Sequence, residues 1–218
     1  GLKFTLTGEQ HVPKTGGGVV AINHTGYLDF TYAGLPAFKA HNRKVRFMAK
    51  KEVFDNTWTG PIMRSLRHIP VDREAGAESY RAAVDYLKRG ELVGVYPEAT
   101  ISRSFEIKEF KSGAARMAIE SGTPIIPTVI WGAQRVWTKG HPRNIGRSKI
   151  PIHIGVCEPL EPNGDPAALT QKLHDVMSAK LLELQDGYPE HPAGAYWVPA
   201  RLGGSAPTLE EATRLDDE

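Results

Sequence analysis

The chain has 218 residues, of which 40% are hydrophobic and 24% charged, with a formal net charge of +2. This length suits one domain with a small appendage and buries a core without disulfides or a structural metal. The composition excludes a disordered chain, the near-neutral balance excludes wholesale nucleic-acid binding, and a lone cysteine, Cys157, excludes an internal disulfide and fits a reducing cytosol.

Short apolar runs alternate with helical patterns from the start of the chain. Lys3–Leu6 and Val19–Ile22 read as strands, a helix follows Leu28, and Arg46–Ala49 is the next strand. The pattern then predicts a helix over Asn56–Leu66 and an apolar run, Ile69-Pro70-Val71, leading into Asp72 and Arg73. In Ala77–Lys88, Tyr80, Ala83, Val84 and Leu87 recur at helical spacing, and Gly90 stands where a helix stop belongs. The strand Leu92–Tyr96 comes next, then the helix Ser112–Glu120, which ends at Gly122 with Pro124 just beyond. Ile125–Trp131 and Ile150–Val156 are strands, and Asp165–Leu184 is a helix opened by an Asp165 cap and Pro166.

This alternation predicts an α/β fold, a largely parallel central sheet flanked by helices. Residues 1–186 are assigned to that domain. Residues 187–218 form a Pro/Gly-rich C-terminal extension, packed on the core or partly flexible.

Charge is less even than the total suggests. Residues 43–73 hold eight Lys and Arg against three acids, with Phe54 and Trp58 interleaved, a composition suited to peripheral contact with an anionic membrane. Residues 205–218 carry a net charge of −4 and read as a solvated tail. No apolar run approaches the roughly 18 residues of a spanning helix. The chain opens on Gly1, which allows a natural segment upstream, a membrane anchor included.

Three segments bring chemistry to strand ends, where open α/β sheets bind ligands. His24-Thr25-Gly26-Tyr27-Leu28-Asp29 follows the strand Val19–Ile22. On a continuous helix, His24 and Asp29 would sit about 140° apart. With Gly26 allowing a turn, Asp29 can begin the helix and reach back to one imidazole nitrogen, leaving the other basic. Beyond Leu92–Tyr96, the stretch Pro97-Glu98-Ala99-Thr100 delivers a carboxylate and a hydroxyl to the same rim, followed by Arg103, Lys108 and Lys111. Lys111 opens a helix whose small first residues suit a phosphate. Arg73, after Ile69–Val71, offers a guanidinium fork for the same purpose.

Read together, His24-x4-Asp29, Ile69-Pro70-Val71-Asp72-Arg73, Tyr96-Pro97-Glu98-Ala99-Thr100 and Ile125-Ile126-Pro127 resemble the four ordered blocks of the glycerolipid acyltransferases of the lysophosphatidic-acid type. The resemblance covers roughly Leu2 to Glu161. Two positions depart from it: Ala99 replaces the usual Gly of the third block, and Ile101 stands where Arg is usual.

The resemblance implies an O-acyltransferase of phospholipid biosynthesis. His24, held by Asp29, would act as the base on the hydroxyl of a lysophospholipid acceptor. Glu98, Thr100, Arg73, Lys111 and Arg103 would bind the head group. Acyl-CoA or acyl carrier protein would enter as co-substrate, with no further cofactor, at the cytoplasmic side of a membrane. A thioesterase, a non-catalytic lipid- or thioester-binding relative, and a transferase for another acceptor are compatible with the same residues.

Gly16-Gly17-Gly18-Val19-Val20-Ala21 matches a dinucleotide fingerprint, but it precedes a strand instead of opening a helix, and is set aside. The Tyr196-Trp197 pair in the extension reads as core packing.

Overall fold

In the computed structural model, which describes residues 1–57, 60–71 and 76–217, seven strands form one sheet. They are β1 (Lys3–Thr7), β2 (Gly18–Ile22), β3 (Val45–Lys50), β4 (Ile69–Val71), β5 (Leu92–Val95), β6 (Ile125–Trp131) and β7 (Pro151–Val156), in spatial order β1-β7-β6-β2-β5-β3-β4. All neighbours are parallel except β6 and β7, so the sheet is largely parallel, as expected. The exception has a local cause. Between β6 and β7 the described helical structure is one short 3-10 turn, Ala133–Arg135, and a chain without a crossover helix folds back beside itself.

The central strands are buried at every position because both faces of the sheet are covered. Side chains alternate with period two. Val19 and Ala21 join the core under α5 (Gly76–Lys88), α6 (Gly113–Ser121) and α7 (Pro166–Asp186). Val20 and Ile22 join the opposite core with Tyr32, Ala33 and Ala37 of α1 (Asp29–Ala33) and α2 (Leu35–His41). The α7 cap is as read from sequence: Asp165 Oδ2 accepts the amides of Ala167 and Ala168 at 3.0 and 3.1 Å.

Two expectations are corrected. The helix expected over Asn56–Leu66 is shorter, α4 (Gly60–Ser65), and a separate short helix not read from the sequence, α3 (Lys51–Asp55), precedes it. Pro61 favours the first turn of a new helix, and Gly60 passes so close to the Phe54 carbonyl that a Cβ would lie 2.1 Å from it. Nor are residues 205–218 a solvated tail. Leu209–Asp217 form a helix, α8, opened by a reciprocal Thr208–Glu211 box, with Ala212 fully buried. Earlier in the extension, Tyr188, Trp197, Val198 and Ala206 are buried in the α5–α7 core.

Candidate active site

β2 and β5 run side by side with Ala21 opposite Val95. Both strands end within a residue of that pair, and each carries a polar side chain three positions beyond it: His24 and Glu98. Equal offsets bring the two together, and the His24 amide donates to Glu98 Oε1 at 2.8 Å.

Asp29 begins α1 and is fully buried. Its Oδ2 lies 3.0 Å from His24 Nδ1 and also accepts the amides of Thr25 and Gly26, both at 2.8 Å. One oxygen therefore orients the ring and folds the turn that carries it. The turn needs glycine at 26, because a Cβ there would sit 2.9 Å from the Trp137 carbonyl oxygen. The loop after β6 presses on this turn, with Tyr27 donating its amide to that same carbonyl and Thr138 Oγ1 donating to Thr25 O.

His24 is fixed on every other side. Ser102 donates its amide to the His24 carbonyl at 2.7 Å, and the Tyr96 ring stacks on the imidazole with centroids 4.0 Å apart. With Asp29 accepting from Nδ1, the tautomer assigned from this bond leaves Nε2 unprotonated. Nε2 has no partner among the described residues, and the side chain keeps 19% of its surface exposed. The arrangement holds one basic nitrogen open to a neighbouring molecule.

Glu98 is buried, and its second oxygen accepts the Lys108 amide at 3.0 Å. Burial pushes its carboxyl up to about 8, against the lowering effect of those two amides and of the Lys108 charge. Each oxygen accepts one main-chain amide, which makes Glu98 a brace between the His24 turn and the loop before α6. The residue read from the sequence as a head-group ligand also lines the larger of two neighbouring cavities.

Two cavities open beside this brace. A smaller one, about 320 Å³, is lined mainly by apolar side chains, among them Met48, Val71, Val95 and Met117, with the Tyr96 ring in its wall. A larger one, about 1010 Å³, lies between the loop after β5, α7 and α8. Ala99 and Lys111 line both. Thr100 is half-buried in the wall of the larger cavity, and Lys111 is exposed.

The two departures of the third block have structural consequences. Ala99 has φ +61°, the left-handed region that favours glycine. Ile101 is buried and turned away from solvent.

Arg103 points to α8, its Nε 3.4 Å from Asp216 Oδ1. Lys108 and Lys139 reach the same carboxylate at 2.6 and 2.8 Å. Sequence reasoning gave no role to Lys139 or Asp216, and no local signal points to a pair 77 residues apart. The Thr208-x-x-Glu211 box does mark α8 as a helix. Arg73 lies outside the described residues, two positions beyond the end of β4. Among the described residues, no group of three or more His, Cys, Asp or Glu is placed to hold a metal ion.

A model of the acyltransferase family matches residues 3–131, more than half of the chain. This chain belongs to the acyltransferase family. The matched part contains all seven site residues read from the sequence. The acyltransferase is 30% identical over 170 residues to the 1-acyl-sn-glycerol-3-phosphate acyltransferase of Bacillus subtilis, an alignment covering 76% of this chain and 82% of that protein. It is 33% identical over 141 residues to a probable enzyme of the same name from Mycoplasma pneumoniae, across 61% of this chain and 51% of that one. The mouse alpha enzyme of that name is 27% identical over 188 residues, covering 82% of this chain and 64% of that protein. Among solved structures, the 1-acyl-sn-glycerophosphate acyltransferase PlsC of Thermotoga maritima has the same fold, with a TM-score of 0.72 and 22% identity over 87% of this chain and 75% of that one.

Proposed function

We propose that this acyltransferase moves a fatty acyl group from a thioester of coenzyme A or acyl carrier protein to the free hydroxyl of a lysophospholipid such as lysophosphatidic acid. The observation that carries the reading is the His24–Asp29 pair, 3.0 Å apart, with Nε2 left open. The names of the relatives supply the acceptor class.

The chemistry follows from that nitrogen. Nε2 takes the proton of the acceptor hydroxyl as its oxygen forms a bond to the thioester carbonyl carbon. The resulting imidazolium is stabilised by Asp29 through Nδ1–H. When the tetrahedral centre collapses, the C–S bond breaks and the thiolate takes the proton from Nε2, which restores the starting tautomer. The thioester serves as co-substrate, and the reading assigns no cofactor. Glu98 acts as a positioning residue, holding the His24 main chain. Thr100, Lys111 and Arg73 are assigned to the acceptor head group, and the apolar cavity behind Tyr96 suits the acyl chain.

Membrane contact is part of the same reading. No described helix is long and apolar enough to cross a membrane. The α3–α4 segment leaves Val53, Ile62 and Leu66 exposed within the basic 43–73 region. That combination suits peripheral binding to an anionic bilayer at its cytoplasmic side.

The test is thiol release from acyl-CoA and from acyl carrier protein, with and without lysophosphatidic acid. A transferase releases thiol in step with diacylated product, and only when the acceptor is present. Equal release without acceptor overturns the proposal in favour of a thioesterase.

A further inference from the structure

Three cations and one carboxylate meet where α8 reaches the loop after β5. Lys108 and Lys139 lie 2.6 and 2.8 Å from Asp216, and Arg103 lies 3.4 Å away. Three positive charges gathered on a single acid leave an excess of two. A monovalent carboxylate does not saturate such a group, whereas a dianionic phosphate monoester presents more charge and three acceptor oxygens. The cluster stands at the edge of the larger cavity, which Lys108 and Asp216 line together with Thr100. It is also coupled to the base: the Lys108 amide holds Glu98, and Glu98 holds the amide of His24.

Asp216 is the member best suited to leave. It sits in the last turn of α8, where the helix dipole already disfavours a negative charge. Helix ends open at little cost compared with helix centres. Arg103 and Lys108, by contrast, lie on the loop braced by Glu98, and Lys139 follows Thr138, whose hydroxyl is tied to the His24 turn. A cationic cradle held by braced loops is thus filled by a group on the last turn of a helix.

We propose that Arg103, Lys108 and Lys139 form a phosphate-monoester site that Asp216 fills in this structure, so that the C-terminal helix and the phosphate compete for one place. Glu109 and Glu210 in the wall of the same cavity suit a single phosphate better than a polyanion. Two molecules in the proposed reaction carry the group: the head of a lysophosphatidate and the 3′-phosphate of coenzyme A. Which of them brings it rests on the acyl-transfer reading; the existence of the site does not.

The test is equilibrium binding, which needs no turnover. Calorimetric titrations of the whole chain with inorganic phosphate, sn-glycerol 3-phosphate, coenzyme A and 3′-dephospho-coenzyme A compare wild type with Asp216→Asn. Asp216→Asn should tighten inorganic phosphate about 5-fold or more, the lower end of couplings between competing sites. Lys139→Gln in that background should cancel the gain. A gain for glycerol 3-phosphate alone assigns the acceptor, and a gain for coenzyme A that vanishes with its 3′-phosphate assigns the donor. Should Asp216→Asn not fold, Lys139→Gln alone must weaken phosphate binding. Unchanged phosphate affinity in folded Asp216→Asn, or in Lys139→Gln, overturns the site and leaves the acyltransferase reading untouched.

Discussion

Glu98 holds His24 by its main chain: the His24 amide donates to Glu98 Oε1 at 2.8 Å, while Asp29 holds the ring from the other side. Two carboxyl groups thus fix one histidine, one setting where the residue sits and the other which nitrogen is basic. Burial raises the Glu98 carboxyl from its ordinary value near 4.5 to about 8.

That difference predicts a pH dependence of stability. Between an ordinary value near 4.5 and about 8, native Glu98 keeps a proton that the unfolded chain has released. Stability should therefore fall as pH rises through this window, by up to about 1.4 kcal/mol per pH unit for one proton, and level off above it. Glu98→Gln removes the titration, so urea midpoints of wild type and variant, measured from pH 5 to 9, should differ in slope. Parallel curves would show that Glu98 ionises normally. The variant also faces one main-chain amide with an NH₂ group, at a cost of about 1–3 kcal/mol.

The strained third block gives a second expectation. An alanine at φ +61° is disfavoured relative to glycine, so Ala99→Gly should stabilise the fold by about 0.5–1 kcal/mol despite the freer unfolded chain. Ala99→Val should destabilise it by more than that, since a β-branched side chain tolerates this region least. Chemical denaturation measures both. A destabilised Ala99→Gly would mean that the turn is not left-handed at this residue.

Asp29→Asn should damage two things at once. The buried Oδ2 serves the ring and two amides, and an amide side chain cannot accept in every position the carboxylate does. We expect a stability loss of about 1–3 kcal/mol, and a fall in turnover of at least about 100-fold as the imidazole loses its orientation. Loss of activity with an unchanged melting temperature would separate the two roles here joined in one atom.

Bilayer binding should be electrostatic in part. Co-sedimentation with anionic vesicles should weaken from low to high salt, and should weaken further in Ile62→Ser, which removes an apolar side chain that is 58% exposed. Equal binding to neutral and anionic vesicles would count against the basic 43–73 region as the contact.

The fold and the His24–Asp29 contact were legible because both depend on short-range pattern. The continuous apolar run Val19–Ile22, the Asp165–Pro166 cap and the His24-Gly26-Asp29 turn are encoded within a few residues of themselves. The rim that Glu98 shares with His24 was legible, but its bond to the His24 amide was not, because it depends on the register of β2 against β5, and a register places residues 74 apart in contact without any local mark. The same holds for Asp216, whose partners Lys108 and Lys139 precede it by 108 and 77 residues. The acidic composition of residues 205–218 favoured a solvated tail because composition cannot see that three cations wait for one of those acids.

The central claim is that Nε2 of His24 is the base for acyl transfer, and His24→Ala tests it most directly. The residue lies in a turn that Asp29 folds through the amides of Thr25 and Gly26, so the substitution should leave the melting temperature nearly unchanged. Acceptor-dependent thiol release by the purified variant, with lysophosphatidic acid and acyl-CoA, should fall by about 10²–10⁴-fold. A folded His24→Ala chain that transfers acyl groups at the wild-type rate would contradict the claim.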